Sequence, residues 1–331
     1  MEKHIVESFS DKYLDIASEL YEFNKNTLNK IDGFENLIYS FEKNASKYIL
    51  RVSHHDHKSA DEIIAELEFI DYLSINDAKA VTPIFSVNKK LVEELEPCGF
   101  IISCFEFASG RRPAKDDVNE EFLKEYGRVI ARMHVLAKTY KPLKRRAEWD
   151  DDKLFEIAHK YLPEESKGLI RSFEILKERL SNYPKDKDSY GLIHTDMHMG
   201  NFFISDDNEF EVFDFDDSAY KWFVSDIAIV LFYVIWFDPD NYDRTDFIMK
   251  HFMSGYREIN KLSDFWFEKF DEFLKLRRLV LALVIYRSFD MNDAPEWVTK
   301  FYELHLDKTL NDEPMLNTDF TVYNHDNGWF P

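Results

Sequence analysis

Cysteine is scarce in this chain, and its two thiols, Cys98 and Cys104, lie close together in a predicted hairpin. Reduced thiols are the default expectation for so few cysteines. The first 30 residues also lack a basic start followed by an apolar core, so a secretory signal is not indicated. We therefore expect reduced cysteines and a cytoplasmic location.

Long apolar runs are absent as well. A membrane-spanning helix needs roughly 18 to 20 apolar residues, and no run reaches that length. The apolar segment 227–237 is predicted to be a buried helix instead. Apolar residues still make up 45% and aromatic residues 16% of the 331 positions, so core material is plentiful and global disorder is excluded. A mass of 39.5 kDa suffices for two lobes with separate cores or for one large domain.

Basic residues are in deficit: 42 Lys and Arg stand against 63 Asp and Glu, a formal net charge of −21. Such a surface repels nucleic acid and anionic lipid, so neither is expected as a partner. It attracts cationic ligands, although the acidity could equally serve solubility alone. The sequence does not indicate an oligomeric state.

Hydrophobic periodicity predicts a sheet-rich first third followed by helices. Helical spacing is found at 11–23, 60–73 and 121–137, and strand-like pairs that read as hairpins are found at 36–41 with 47–53 and at 91–94 with 99–107. The region 222–305 is helical and rich in aromatic residues.

The most informative segment is a polar loop between two apolar runs. It carries His194, Asp196 and Asn201, and a further apolar strand then delivers Asp214. This is the order and spacing of a kinase catalytic loop followed by a metal-binding aspartate. Phosphoryl transfer needs a carboxylate beside the attacking hydroxyl, which Asp196 can supply, and oxygen ligands for Mg²⁺, which Asn201 and Asp214 can supply.

Two other interpretations of the loop stay open. It could be an ordinary polar turn with solvated carboxylates. Alternatively, His194, Asp196 and His198 alternate along the chain and could direct three ligands to one metal ion, as in a hydrolase. That site would need further ligands, and it would leave Gly200 and Asn201 without a role.

The combination of His194-x-Asp196, His198, Gly200-Asn201 and the trailing Asp214-Phe-Asp-Asp closely resembles the aminoglycoside phosphotransferase and choline kinase superfamily. The resemblance implies an α+β, bilobal, protein-kinase-like fold. A small N-terminal nucleotide-binding lobe with an antiparallel sheet and a helix would span residues 1–108. A larger, mainly helical C-terminal lobe for catalysis and acceptor binding would span 109–331.

The resemblance also assigns residues on the nucleotide side. Gly33 matches the turn that covers the phosphates, although this loop is poor in glycine. Arg51 stands where the family usually has a lysine that grips the phosphates, and Glu66 stands where its helical partner lies. Backbone hydrogen bonds to adenine are implied for the hinge residues Glu106, Phe107 and Ala108.

On the catalytic side the resemblance implies Asp196 as the base, His194 as a residue that orients the loop, and Asn201 with Asp214 as Mg²⁺ ligands. Asp226 matches a family aspartate that braces the loop. The predicted activity is transfer of the γ-phosphate of ATP or GTP to a hydroxyl of a small acceptor, with net acidity favouring a cationic one such as an aminoglycoside or amino alcohol. The alternatives are a kinase of homoserine or protein Ser/Thr and a nucleotide-binding pseudo-kinase.

Two further segments, one acidic and one rich in histidine, each allow more than one interpretation. Asp216 and Asp217 could assist a second ion or the substrate, or could be solvated turn residues. The segment His54-His-Asp-His57 is predicted to be a solvated loop rather than a metal site, because four adjacent side chains cannot all converge on one ion.

Overall fold

The computed structural model describes residues 3–31, 33, 35–151 and 153–325, with the side chains of residues 3 and 4 left aside. The chain divides into two compact units. The first comprises Met1–Pro113, Tyr140–Arg146 and Gly200–Asp216, and the second comprises Ala114–Thr139, Ala147–Met199 and Asp217–Pro331. The boundary predicted after residue 108 stays a prediction.

Helices and strands are numbered in chain order. The helices are α1 Lys3–Ser8, α2 Asp11–Leu20, α3 Ala60–Ile75, α4 Glu120–Ala137, α5 Lys153–Tyr161, α6 Gly168–Ser181, α7 Phe223–Ile235, α8 Tyr242–Ile259, α9 Asp264–Glu268, α10 Phe270–Ser288 and α11 Glu296–Leu310. The strands are β1 Asn29–Ile31, β2 Leu37–Lys43, β3 Ser46–His54, β4 Pro83–Ile84, β5 Val92–Leu95, β6 Phe100–Glu106, β7 Tyr190–Ile193, β8 Phe202–Ile204, β9 Phe210–Val212 and β10 Ala219–Trp222.

The first unit is built on an antiparallel sheet in the order β1-β2-β3-β6-β4, with β5 also paired to β6. The hairpin between β2 and β3 is closed by Asn44 and Ala45, which both have positive φ, at 52° and 63°. Two central residues of that conformation match the right-handed twist of the flanking strands. The turn therefore sets the register that pairs Ile38 with Arg51.

Helix α3 follows β3 and begins with a capping box, in which the Ser59 hydroxyl accepts from the Glu62 amide and Glu62 reaches back to Ser59. Its buried positions include Glu66, Leu67 and Phe69. The helices predicted at 11–23, 60–73 and 121–137 and both predicted hairpins are confirmed, with shifts of a few residues at their ends.

The second unit is mainly helical. Helices α4 and α8 pack closely because a glycine lies on each at their crossing: a Cβ at Gly127 or at Gly255 would overlap backbone atoms of the other helix. Helix α7 is buried along most of its length and confirms the helix predicted at 227–237, although it begins at Phe223 and ends at Ile235. Strands β7 and β10 form a short ladder that pairs Ile193 with Ala219.

Among the residues described above, no helix is both long and apolar enough to cross a membrane. Both cysteines are free thiols, as predicted, and Cys104 is buried in β6.

Candidate active site

In the first unit, strand β3 and helix α3 bring Arg51 and Glu66 into a buried bidentate pair. Arg51 Nη1 and Nη2 donate to the two carboxylate oxygens at 2.7 and 3.0 Å, and Arg51 Nε donates to Ser103 Oγ at 3.2 Å. Burial alone would lower the pKa of Arg51, but the charge and hydrogen bonds of Glu66 raise it. Glu66 is fully buried, which excludes a solvated helix carboxylate.

A second charged cluster surrounds Asp216 in the same unit. Lys58 Nζ lies 2.8 Å from Asp216 Oδ2, His57 Nε2 lies 3.5 Å from it, and Arg51 Nη1 lies 3.9 Å from Asp216 Oδ1. Burial would raise the pKa of Asp216, yet Lys58, His57 and Arg51 hold it well below its usual range. Asp216 is therefore a buried anion that holds three cationic side chains together, which excludes a solvated turn residue.

The predicted solvated loop at 54–57 is wrong for two of its histidines. His54 is buried, and His57 is only about a quarter exposed, with Nε2 2.7 Å from Glu35 Oε2. Burial would lower the pKa of His57, but its hydrogen bonds to Asp216 and Glu35 raise the pKa to about 9. This ion pairing, which links residues distant in the sequence, withdraws most of His57 from solvent, whereas His55 and Asp56 are exposed as predicted.

Asn201 and Asp214 lie at the same end of the β8–β9 hairpin. Phe202 pairs with Val212, and the ladder continues one step further because the Phe213 amide donates to the Asn201 carbonyl oxygen at 3.0 Å. Asp214 follows with φ of 65° and an exposed side chain. The hairpin thus brings one amide and one carboxylate, both hard oxygen donors, to one edge of the first unit.

The remaining predicted nucleotide residues also belong to the first unit. Gly33 lies in a tight turn before β2, where a Cβ would overlap the carbonyl oxygen of Asn36. At the end of β6, the amides of Glu106 and Phe107 donate to the Thr82 and Lys47 carbonyls at 2.9 and 3.1 Å. Ala108 follows as a buried residue.

In the second unit, the loop after β7 is fixed by Asp226 in the first turn of α7. The Thr195 amide donates to Asp226 Oδ1 at 2.9 Å and the His194 amide to Oδ2 at 3.3 Å. The Asp196 amide donates to His194 Nδ1 at 3.3 Å. The bracing predicted for Asp226 is confirmed, and the role predicted for His194 stays a prediction.

The Asp196 carboxylate is held between two basic side chains. Arg277 Nη2, from α10, donates to Asp196 Oδ1 and to the Tyr233 hydroxyl, and His198 Nε2 lies 3.4 Å from Asp196 Oδ2. Burial would raise the pKa of Asp196, but the Arg277 charge and the His198 hydrogen bond lower it to about 2. Asp196 is therefore ionised at neutral pH and remains one-fifth exposed.

The hydrolase alternative finds no support in the part of the chain that the structure describes. There, His194, Asp196 and His198 do not form a group whose ligand atoms converge, whereas Glu35, His57 and Asp216 do. His194 Nδ1 instead accepts a hydrogen bond from the backbone amide of Asp196.

Sequence reasoning missed Lys58 and Arg277. Lys58 meets Asp216 across 158 positions, and no local pattern signals such a pairing. Arg277 could have been found from the sequence. It and Arg278 lie between Leu276 and Leu279, just before the apolar run that continues to Ile285 in α10. Two charged residues inside a buried helix predict that their side chains have buried partners. For Arg277 these include the Asp196 carboxylate of the catalytic loop.

The fold and these side chains define a small-molecule phosphotransferase of the protein-kinase-like class. Comparison with family models identifies the phosphotransferase enzyme family over residues 28–258. The amicoumacin kinase of Bacillus subtilis strain 168 is 35% identical over 291 residues, which cover 85% of this chain and 86% of that protein. The chain belongs to the phosphotransferase enzyme family.

Solved structures agree with this assignment. The amicoumacin kinase hAmiN, in complex with AMP-PNP, Ca²⁺ and Ami, has a TM-score of 0.90 and 28% identity, covering 97% of this chain and 99% of that one. A microcompartment-associated aminopropanol kinase has a TM-score of 0.73 at 22% identity, covering 92% and 98%, and shows the shared fold alone. The predicted fold and the predicted enzyme class, a kinase with an alcohol group as acceptor, are confirmed.

Proposed function

We propose that this enzyme transfers the γ-phosphate of ATP or GTP to a hydroxyl of a small molecule, with Asp196 as the base. The observation that carries the proposal is the Asp196 carboxylate, ionised and held by Arg277 in a loop that Asp226 braces. The kinship to amicoumacin kinase makes amicoumacin the first acceptor to test, and amino alcohols are the second class.

The donor half of the reaction is assigned to the first unit. Arg51, held by Glu66, and Lys58 supply positive charge for the nucleotide phosphates, and Gly33 lies in the turn that would cover them. The guanidinium of Arg51 keeps its charge and can bind phosphate through two hydrogen bonds. Arginine in place of the usual lysine therefore preserves the electrostatic role of this position.

The base of the nucleotide is assigned to the hinge. The Glu106 and Phe107 amides already donate within the protein, so we assign the contacts with adenine to the Glu106 carbonyl and the Ala108 amide. The Lys47 ammonium lies 3.9 Å from the centroid of the Phe107 ring, and the Phe107 and Phe203 ring centroids are 6.4 Å apart. Aromatic side chains therefore border the hinge.

The donor set formed by Asn201 and Asp214 fits Mg²⁺. This ion prefers oxygen ligands and is usually held by one or two carboxylates together with water and substrate phosphates, and the exposed Asp214 leaves space for these. When bound, Mg²⁺ would neutralise charge on the phosphates. The related hAmiN structure contains Ca²⁺ with AMP-PNP, which supports a divalent ion in this family.

Asp196 accepts a hydrogen bond from the acceptor hydroxyl and so aligns its oxygen with the γ-phosphorus. The new O–P bond forms as the bond between the γ-phosphorus and the β,γ-bridging oxygen breaks, the nucleoside diphosphate leaves, and the hydroxyl proton passes to Asp196. A carboxylate with a pKa near 2 is a weak base. Its contribution is therefore mainly orientation, with proton transfer late, which suits the loose transition state of phosphoryl transfer.

The test is acceptor-dependent nucleotide consumption with amicoumacin, 1-amino-2-propanol, choline, ethanolamine, homoserine and a generic protein, each with MgATP and MgGTP. Asp196→Asn keeps the side-chain shape but cannot accept the proton, and should reduce turnover at least ~10²-fold with nucleotide binding retained. Asp207→Asn, on the exposed turn between β8 and β9, is the matched control and should retain wild-type turnover. Equal turnover in the two variants would remove Asp196 from the mechanism.

A further inference from the structure

The Arg277 guanidinium, which is 12% exposed, contacts the Asp196 carboxylate. Its Nη2 donates to both Asp196 Oδ1 and the Tyr233 hydroxyl, and its central carbon lies 4.9 Å from the Tyr233 ring centroid. Tyr233, on α7, is itself packed at 4.6 Å against the His198 ring. Arg277 is thus fixed beside the carboxylate on which the acceptor hydroxyl depends.

Arg277 has more donors than these contacts use. A guanidinium carries five N–H groups and has no acceptor. Its Nε is buried and finds no hydrogen-bond acceptor among the residues that the structure describes. A buried donor without a partner is costly, and such groups in native proteins usually mark a position where a ligand or water binds. Because Nε belongs to the same guanidinium as the Nη2 that contacts Asp196, an oxygen that accepts a hydrogen bond from Nε would lie near the base.

The donors around Asp196 point the same way. Arg277 Nη2 contacts Asp196 Oδ1 and His198 Nε2 lies 3.4 Å from Oδ2, while Asp217 adds a second negative charge near Arg277. An ammonium group on the carbon next to the phosphorylated one has no lone pair, so it cannot accept a hydrogen bond from Arg277. A neutral carbonyl oxygen at that place can accept one.

From these contacts we infer that Arg277 selects acceptor alcohols with a hydrogen-bond-accepting oxygen, such as a carboxamide carbonyl or a second hydroxyl, on the carbon next to the phosphorylated one. Simple cationic amino alcohols are disfavoured. Arg277 contacts the acceptor directly in this assignment. Its hydrogen bond to Asp196 fixes the position of the guanidinium relative to the carboxylate. The inference rests on the proposed role of Asp196 as the base.

Two small alcohols give a matched test. Lactamide and 1-amino-2-propanol share a three-carbon skeleton and a secondary hydroxyl, and they differ in a neutral carboxamide against a cationic aminomethyl group. Wild-type enzyme should show a kcat/KM for lactamide about 10- to 100-fold above that for 1-amino-2-propanol, the range expected for one charge-assisted hydrogen bond. Equal values, or a preference for the amine, would overturn the inference.

Variants separate selection from a merely structural role. Arg277→Met keeps length without N–H groups and should abolish the lactamide preference, while Arg277→Lys should retain only part of it. Arg287→Met, at the exposed end of the same helix, is the control and should keep the wild-type ratio. A structural defect would lower both kcat/KM values together, so an unchanged ratio in Arg277→Met contradicts the assignment.

If both small alcohols are too weak to measure, the comparison moves to the KM for amicoumacin, which should rise about 10- to 100-fold in Arg277→Met and remain unchanged in Arg287→Met. An equal KM in the wild type and Arg277→Met would refute the inference while leaving the proposed function intact. Absence of transfer to every acceptor would instead contradict the proposed function, on which this inference depends.

Discussion

Replacement of Glu66 by alanine should destabilise the β3–α3 region strongly. The carboxylate is fully buried and takes two hydrogen bonds from Arg51, at 2.7 and 3.0 Å, so its removal leaves a buried guanidinium with Ser103 as its hydrogen-bond partner and Asp216 as a carboxylate at 3.9 Å. Breaking a buried ion pair by removing one partner costs about 3 to 5 kcal/mol. Asp216 recovers little of that, because Lys58 and His57 already share it.

The assay must report on the first unit. The five tryptophans among the described residues lie in the second unit, so their fluorescence would not detect a local opening around Glu66. Amide hydrogen exchange of β3 and α3, read by mass spectrometry, measures that opening directly. At about 1.4 kcal/mol for each tenfold, the loss corresponds to exchange at least ~10²-fold faster in these elements.

Two controls sharpen the result. Glu68→Ala removes a half-buried carboxylate two residues further along the same helix and should change exchange by less than about tenfold, as for a surface charge. The double replacement Arg51→Met with Glu66→Leu should recover most of the protection, because apolar groups of similar volume often replace a buried ion pair at no cost. Exchange in Glu66→Ala no faster than in Glu68→Ala would refute the reasoning.

Three further outcomes are expected at the catalytic residues. Asp214→Asn should raise the Mg²⁺ concentration for half-maximal activity by at least ~10-fold, the loss known even for groups that only support a metal ligand; an unchanged Mg²⁺ titration would exclude Asp214 as a ligand. Asp226→Ala frees the amides of His194 and Thr195, so kcat should fall ~10²-fold with the KM for ATP retained, and a normal kcat would show that the bracing is dispensable. The base form of Asp196 exists above its pKa of about 2, so the acid limb of kcat/KM should lie at very low pH; Arg277→Met removes the charge that lowers this pKa, so the limb should move to higher pH, and an unmoved limb would contradict the pairing.

The fold and half of the candidate site were predictable because their signals are local. Alternating and helical hydrophobic patterns gave the hairpins and α3, and a five-residue spacing placed Asp196 and Asn201 on one loop between two strands. Arg51 and Glu66 were predictable as a pair since a strand followed by a helix repeats the family's arrangement, and the buried bidentate contact confirms that they meet.

The other half depends on contacts between segments far apart in the sequence. The solvated loop predicted at 54–57 was wrong for His57 because Glu35 and Asp216 pair with it, and neither acid is a sequence neighbour of it. Arg277 reaches Asp196 across 81 positions. Such pairings follow from how the helices and loops pack, which hydrophobic periodicity does not encode beyond the identity of the buried face.

Net charge is a poor guide to the acceptor for the same reason. A total of −21 favours cationic ligands over long distances, where many exposed carboxylates add their fields. Within a few ångströms of the reacting hydroxyl, however, the field is set by the nearest groups, since screening suppresses the distant ones. Those groups are Arg277, shared between Asp196 and Tyr233, with Asp217 near it and His198 beside Asp196. They combine charges of both signs, so hydrogen-bond donors and acceptors, rather than net charge, discriminate between acceptors at this place. We therefore expect the Arg277 N–H groups to favour an oxygen on the carbon next to the phosphorylated one, and positive charge elsewhere on the acceptor is compatible with the acidic surface.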